Sequence, residues 1–282
     1  MNFVKVKSYA KVNISLNITG RLSNGFHKIE SLVSFINLYD LIFIKRINSK
    51  KHKVYFTGKQ ALNIKKKNTL IILLDILDKQ RLLDNRKFEI KVVKNIPIKS
   101  GMGGGSMNAA SLINFLFKKK ILRLKKNKLI SIADKVGSDV ALGLEQQNTI
   151  LSTNGKITRF KKKFDYHVLI VKPNFGCSTS FIYSKVKYFS KSKYNTPKLS
   201  HLSLESIKNS ENKLEKIAFS LYPKLKNLKL FLLTLPNIIF ARMSGSGSSI
   251  VAYFHSKKAA DSAAKEFKKK FNNYWFITSK TI

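Results

Sequence analysis

Residues 97–110 run Pro97, Ile98, Lys99, Ser100, Gly101, Met102, Gly103, Gly104, Gly105, Ser106, Met107, Asn108, Ala109, Ala110, and four of the chain's 13 glycines fall within five of these positions. Ahead of them Phe88, Ile90 and Val92 alternate with Glu89 and Lys91, the period of a half-buried strand. Behind them Ala109, Ala110, Leu112, Ile113 and Leu116 recur at helical spacing. A strand must therefore hand over to a helix through a loop with few Cβ atoms. Such a loop lets backbone N–H groups approach a ligand closely, and the helix start adds partial positive charge. The fitting guest is a di- or triphosphate; the plainer alternative is a flexible turn. Two common nucleotide motifs do not fit. The trailing Gly-Lys-Ser/Thr of a P-loop is absent, and Ser106 stands where a dinucleotide fingerprint needs glycine.

Composition narrows the class. With 282 residues, 44% of them hydrophobic, the chain can bury the core of one compact enzyme or of two modest domains. A single cysteine, Cys177, excludes a disulfide framework and fits a reducing compartment. Residues 1–15 hold no continuous apolar run of the signal-peptide kind, and the apolar runs at 70–77 and 228–240 are short for a span and interrupted by Asp75 and Lys229. A cytoplasmic protein is expected. The net charge of +39 would suit a nucleic acid or a membrane surface. However, the lysines lie in short clusters at 45–53, 65–67, 118–128, 161–163 and 185–193, not in one stripe with interleaved aromatics. No specific nucleic-acid partner and no membrane partner are expected.

Along the chain, alternation predicts strands at 3–18 and 29–44, the second broken at Tyr39-Asp40, and a strand end at 55–58. Asn68 is placed to cap a helix over 69–81. A helix over 126–136 follows, then a hairpin at 149–159 around Asn154-Gly155 and a buried strand at 168–171. Residues 185–205 read as loop. Helices at 211–222 and 224–234, strands at 238–242 and 249–254, a helix at 257–271 and a strand at 274–278 complete the chain. A boundary near 160 gives domains 1–160 and 161–282.

Three further segments carry candidate chemistry. Ala10-Lys11-Val12-Asn13-Ile14 puts a lysine and an asparagine on one face of a strand. Gly137-Ser138-Asp139-Val140 sets one of only 15 acidic residues among small and apolar neighbours. Arg242-Met243-Ser244-Gly245-Ser246-Gly247-Ser248-Ser249 forms a second Gly/Ser loop, between two strands, with N–H and hydroxyl groups suited to phosphate oxygens. Read singly, Lys11 is a solvated lysine and Asp139 a helix cap or turn aspartate.

Taken in order, these segments resemble the GHMP kinase superfamily. Residues 97–110 are similar to its phosphate-binding loop, Pro-x-x-x-Gly-Leu-Gly-Ser-Ser-x-Ala, in the expanded Gly-Leu-Gly-Gly-Gly-Ser-Ser-Asn-Ala-Ala form of the branch acting on a cytidine-diphosphate-linked substrate. Met102 replaces leucine at similar volume. Met107 replaces the second serine, whose hydroxyl can hold the metal in relatives, so no protein ligand to a metal is assigned. Ala10 to Leu16 resembles the branch's Ala-Lys-Leu-Asn-Leu segment, and Gly20-Arg21-Leu22-Ser23-Asn24-Gly25-Phe26-His27 its Gly-x-x-x-Asp-Gly-Tyr-His turn, with Phe26 for tyrosine. Residues 137–141 resemble Gly-Ala-Asp-Val-Pro, with Ala141 for proline. Cys177-Ser178-Thr179 resembles Val-Ser-Thr, with Tyr183 as the aromatic four residues past Thr179. Asn212-Lys213-Leu214-Glu215 resembles Asn-Asp-Leu-Glu.

The resemblance implies an α+β, two-domain GHMP kinase fold: an N-terminal ribosomal-protein-S5-domain-2-like lobe that binds ATP, and a C-terminal ferredoxin-like lobe. It implies transfer of the γ-phosphoryl group of ATP, with Mg2+ as counter-ion, to the 2-hydroxyl of 4-diphosphocytidyl-2-C-methyl-D-erythritol, a step of non-mevalonate isoprenoid precursor synthesis. Lys11 and Asp139 would be catalytic, with Asp139 taking the hydroxyl proton. Residues Pro97 through Ser106, and Asn108, would hold ATP. Asn13 would face the erythritol, Phe26 and Tyr183 would stack on the cytosine, and His27 would meet its polar edge. Thr179, Gly245, Ser246 and Gly247 would complete the substrate site. A homoserine- or mevalonate-type kinase of the same superfamily, or a basic RNA-binding protein, are the alternatives.

Overall fold

The structure is a computed structural model that describes residues 2–23, 25–62 and 64–282, so Asn24 of the predicted turn lies outside the described residues. Two compact units emerge. One is built from the chain up to Lys11, Leu38–Ile98 and Gly103–Gln146, the other from Val12–Asn37, Lys99–Met102 and Gln147–Ile282. They are discontinuous in sequence because the two longest strands, β1 (Val4–Arg21) and β2 (His27–Ile47), contribute residues to both.

In the first unit the C-terminal part of β2 pairs antiparallel with β4 (Lys87–Val93), and β3 (Lys53–Thr57) pairs parallel with β4. Parallel neighbours need a crossover, which α1 (Thr69–Lys79) supplies. Its first turn is capped as predicted: the Asn68 side chain accepts the N–H groups of Leu70 and Ile71. Helices α2 (Gly104–Lys118) and α3 (Lys126–Val136) follow, turning Leu112, Leu116, Leu129 and Ile132 into the interior. The expected break at Tyr39-Asp40 is absent, and β2 continues through it. Asp40 is fully buried but satisfied. Its carboxylate pairs with Lys94 and accepts the N–H groups of Asn95 at 2.8 Å and Ile96 at 2.9 Å.

In the second unit the N-terminal part of β2 pairs antiparallel with β5 (Asn148–Leu151), which forms the predicted hairpin with β6 (Ile157–Phe160). Gly155 takes the positive φ of +81° that this turn requires. A four-stranded antiparallel sheet follows in the order β10-β7-β9-β8, made of β7 (His167–Lys172), β8 (Ile238–Met243), β9 (Ile250–Phe254) and β10 (Trp275–Lys280). Helices separate β7 from β8, and α8 (Lys257–Lys270) separates β9 from β10. This split β-α-β arrangement is the ferredoxin-like pattern. Between β7 and β8 lie α4 (Thr179–Ser184), α5 (Leu204–Lys208), α6 (Leu214–Leu221) and α7 (Pro223–Leu233). The predicted loop at 185–205 therefore ends in a short 3-10 turn, Leu199–Leu202, and α5. Leu169, Val171, Leu228, Ala252 and Phe267 centre the core of this sheet. Cys177 is buried in the same cluster, and burial pushes its thiol up to about 11. Among the described residues no helix is long and apolar enough to cross a membrane.

Candidate active site

Strand β1 carries alternating side chains, so Ala10, Val12 and Ile14 share one face while Lys11, Asn13, Ser15 and Asn17 share the other. All four polar residues are buried, and Lys11 is only 4% exposed. A buried lysine needs a partner. In the first unit that partner is Asp139, with Lys11 Nζ 2.9 Å from its Oδ2. Asp139 follows the C-terminal cap of α3, Gly137, and precedes a 3-10 turn at Ala141–Leu144. Neither residue takes its plainer role: Lys11 is not solvated, and Asp139 is an ion-pair partner with 29% of its side chain exposed.

From Gly103 onward the glycine stretch lies beside this pair in the first unit. Helix α2 begins at Gly104, earlier than the apolar spacing indicates, so Gly104 and Gly105 belong to its first turn. Its N-cap, Gly103, is left-handed at φ +67° and supplies no side-chain cap. The first intrahelical bond runs from Met107 N–H to Gly103 O, which leaves the N–H groups of Gly104, Gly105 and Ser106 ahead of the ladder. Gly103 has a second reason to lack a side chain, since a Cβ would stand 2.9 Å from Lys11 Cε and 3.0 Å from its Cγ. Thr69 Oγ1 ties the helix start down by donating to Gly105 O at 2.7 Å. Asn108 is buried on α2, and its Oδ1 has no hydrogen-bond partner among the described residues. Met107 is buried too, and packs its thioether against Gly143. Pro97 is buried and Ile98 partly buried ahead of the loop.

Lys99, Ser100, Gly101 and Met102 belong to the second unit, where they run beside the second Gly/Ser loop. Ser249 N–H donates to Ser100 O at 3.2 Å, and Ser244 Oγ donates to Gly101 O at 2.9 Å. A Cβ on Gly101 would overlap the Ser244 carbonyl, and its φ is +74°. Met102 is fully buried, a filler where leucine would serve. Asn13 N–H donates to Ser244 Oγ at 3.2 Å, and its Nδ2 donates to Ser31 Oγ at 2.8 Å. Gly245 and Gly247 both have positive φ, and Ser246 Oγ meets Thr179 Oγ1 at 2.8 Å. Asn212 holds the loop from behind, its Nδ2 donating to Met243 O at 2.8 Å and Gly245 O at 2.7 Å, while Glu215 accepts the Met243 N–H at 2.7 Å.

Near the start of β2, the rings of His27 and Tyr183 lie 5.1 Å apart with a 43° tilt, and Phe189 is 6.5 Å from His27. Burial, and after it the charge of Arg21, lowers the pKa of His27 and so favours its neutral form. Its Nε2 is buried with no hydrogen-bond partner among the described residues. Phe26 is 72% exposed. Phe189, Ser31 and Ser244 are neighbours that sequence reading did not single out as site residues. Ser244 sat inside a quoted motif, whereas the other two carry no local signal. Among the described residues no three His, Cys, Asp or Glu side chains gather as a metal cluster.

The family model for the GHMP kinases N-terminal domain matches residues 68–155, and that for the GHMP kinases C-terminal domain matches residues 197–273. Over the full length of both proteins the chain is 56% identical to the 4-diphosphocytidyl-2-C-methyl-D-erythritol kinase of Pelagibacter ubique. It is 33% identical to the Petrotoga mobilis enzyme of the same name, over 87% of this chain and 96% of that one. Among solved structures, a 4-(cytidine 5'-diphospho)-2C-methyl-D-erythritol kinase matches with a TM-score of 0.78 at 22% identity, covering 98% of this chain and 99% of that one. The homoserine kinase of Cytophaga hutchinsonii matches at 0.69 and 17% identity, covering 100% of this chain and 95% of that one. With both domain models matched in order and a full-length relative at 56% identity, the chain belongs to the GHMP kinase family.

Proposed function

We propose that the chain transfers the γ-phosphoryl group of ATP to the 2-hydroxyl of 4-diphosphocytidyl-2-C-methyl-D-erythritol. The observation that carries the chemistry is the Lys11–Asp139 pair, 2.9 Å apart, with the Lys11 stem packed on the N-cap of α2. The substrate reading rests on the full-length relatives. The first-turn N–H groups of Gly104, Gly105 and Ser106 would donate to phosphate oxygens, aided by the helix dipole. The unpaired Asn108 Oδ1 is a further acceptor suited to a ligand donor. Asp139 Oδ would take the proton of the 2-hydroxyl as its oxygen attacks the γ-phosphorus, while the bond to the bridging oxygen breaks and ADP leaves. Lys11 Nζ would neutralise charge that develops on the transferring group.

Magnesium, when bound, supplies a counter-charge for the phosphates. Such ions keep several waters and are held largely through the substrate phosphates, so no protein carboxylate need be assigned to it. Asn13, Thr179, Gly245, Ser246 and Gly247 would bind the sugar alcohol and diphosphate. His27, with its unpaired Nε2, would meet the polar edge of the cytosine, and Phe26 and Tyr183 its faces. Residues 1–160 and 161–282 would be the family's two domains, the cut falling between the two model matches. A cytoplasmic enzyme with a small-molecule partner fits all of this. The test measures ADP release with this substrate, with homoserine and with mevalonate. Turnover confined to the cytidine compound supports the reading, and turnover with either rival alone removes it.

A further inference from the structure

Glu30 stands on β2 in the second unit, fully buried, and takes no part in the chemistry above. Its Oε1 accepts Asn17 Nδ2 at 2.9 Å and the N–H of Lys193 at 2.7 Å. Its Oε2 accepts Ser192 Oγ at 2.6 Å, the N–H of Tyr194 at 3.1 Å and Thr153 Oγ1 at 3.3 Å. Each of these donors is neutral. Burial pushes the Glu30 pKa up, but the hydrogen bonds from Ser192, Lys193, Asn17 and Tyr194 outweigh it and hold the group below its ordinary value. A carboxylate accepts such bonds about twice as strongly as a neutral group does. Glu30 therefore fixes three successive residues of an otherwise irregular, lysine-rich segment.

The last of the three continues the chain of contacts. The buried hydroxyl of Tyr194 meets Ser15 Oγ at 2.7 Å. Ser15 Oγ accepts the Leu32 N–H at 3.1 Å, and Ser31 Oγ donates to Ser15 O at 2.5 Å. Ser31 Oγ in turn accepts Asn13 Nδ2 at 2.8 Å. Fixing Nδ2 decides which way the Asn13 carboxamide oxygen points.

We propose that Glu30 is a positioning residue for the phosphoryl acceptor, clamping residues 192–194 so that Tyr194, Ser15 and Ser31 orient the side chain of Asn13. The proposal rests on the reading of Asn13 as a substrate-binding residue. Tyr194 braces the Ser15 side chain while the Ser15 carbonyl holds Ser31 Oγ, so loosening β1 at Ser15 reaches Asn13 through the strand backbone.

Steady-state kinetics on Glu30→Gln, Tyr194→Phe, the double variant and Asn13→Ala test it, alongside melting temperatures. Tyr194→Phe keeps the buried ring and removes only the hydroxyl. Each of the two single variants should raise the KM for 4-diphosphocytidyl-2-C-methyl-D-erythritol about fivefold or more, the worth of one ordinary hydrogen bond. The KM for ATP should stay within about twofold, and the double variant should be no worse than the worse single one. If Asn13→Ala raises the acceptor KM but neither other variant does, the proposal falls and the substrate reading stands. If both KM values rise together as the melting temperature drops, or if the two effects multiply, Glu30 only holds the fold and the proposal falls. If Asn13→Ala leaves the acceptor KM unchanged, the substrate reading of Asn13 fails and takes the proposal with it.

Discussion

Asp139 has 29% of its side chain exposed and a lysine ammonium at 2.9 Å, and in the proposed reaction it accepts the proton of the incoming hydroxyl. Asp139→Asn keeps the shape and removes the base. Turnover should fall by about 10²–10⁴-fold, while ATP affinity, measured by direct binding, should change little. Gly103 serves the same pair differently. Its left-handed φ and the 2.9 Å approach of a would-be Cβ to Lys11 Cε mean that Gly103→Val strains the backbone and displaces Lys11. The variant should lose kcat as well as raise the KM for ATP, whereas a loop that only cradled phosphate would show the KM effect alone. Lys11, Asp139 and Gly103 were legible in the sequence because each sits in a short segment with a local pattern. Tyr194, Ser15 and Ser31 were not, because their roles arise from hydrogen bonds between segments far apart in the chain. Glu30 does carry a local signal, as one of only 15 acidic residues, set in a run that otherwise reads as strand.

At the scale of elements, boundaries set by apolar periodicity came out close. The helix predicted at 126–136 is α3, Lys126–Val136. Polar residues inside elements misled. Tyr39-Asp40 reads as a turn because aspartate disfavours strands, yet Lys94 and two backbone N–H groups satisfy the carboxylate within β2. That contact pins Asn95 and Ile96, the residues just ahead of Pro97. Asp40→Ala strands the buried Lys94 ammonium and should cost about 3–5 kcal/mol in chemical denaturation. Asp40→Ala with Lys94→Met should recover part of the loss. The segment 192–194 has its own acid sensitivity. The Glu30 pKa is lower folded than its ordinary 4.5, so its contribution to stability is present above pH 4.5 and lost as pH falls through the folded value. In Glu30→Gln that part of the pH–stability curve should flatten, as read by melting temperature between about pH 3 and 6.

Across the whole molecule, the order of motifs exposed the family more clearly than any one of them, and the ferredoxin-like lobe that the resemblance implied has the sheet order β10-β7-β9-β8. The discontinuous units were not legible, since alternation along β1 and β2 gives no sign that each strand contributes to two packed bodies. The basic residues behind the charge of +39 are spread across many elements, and Lys11, Lys94 and Arg242 among them are buried. One cysteine among 282 residues has a practical consequence. Cys177 is buried, burial lifts its thiol to about 11, and a Cβ on Gly247 would stand only 3.4 Å from its Sγ. A thiol reagent finds little thiolate there while the second unit is closed. Labelling should therefore be much slower than for the denatured chain at the same pH, and bound acceptor should slow it further if that ligand rests on the second Gly/Ser loop. The chain thus carries its own stopwatch for opening, and mass spectrometry of the labelled chain can read it without a cysteine being engineered.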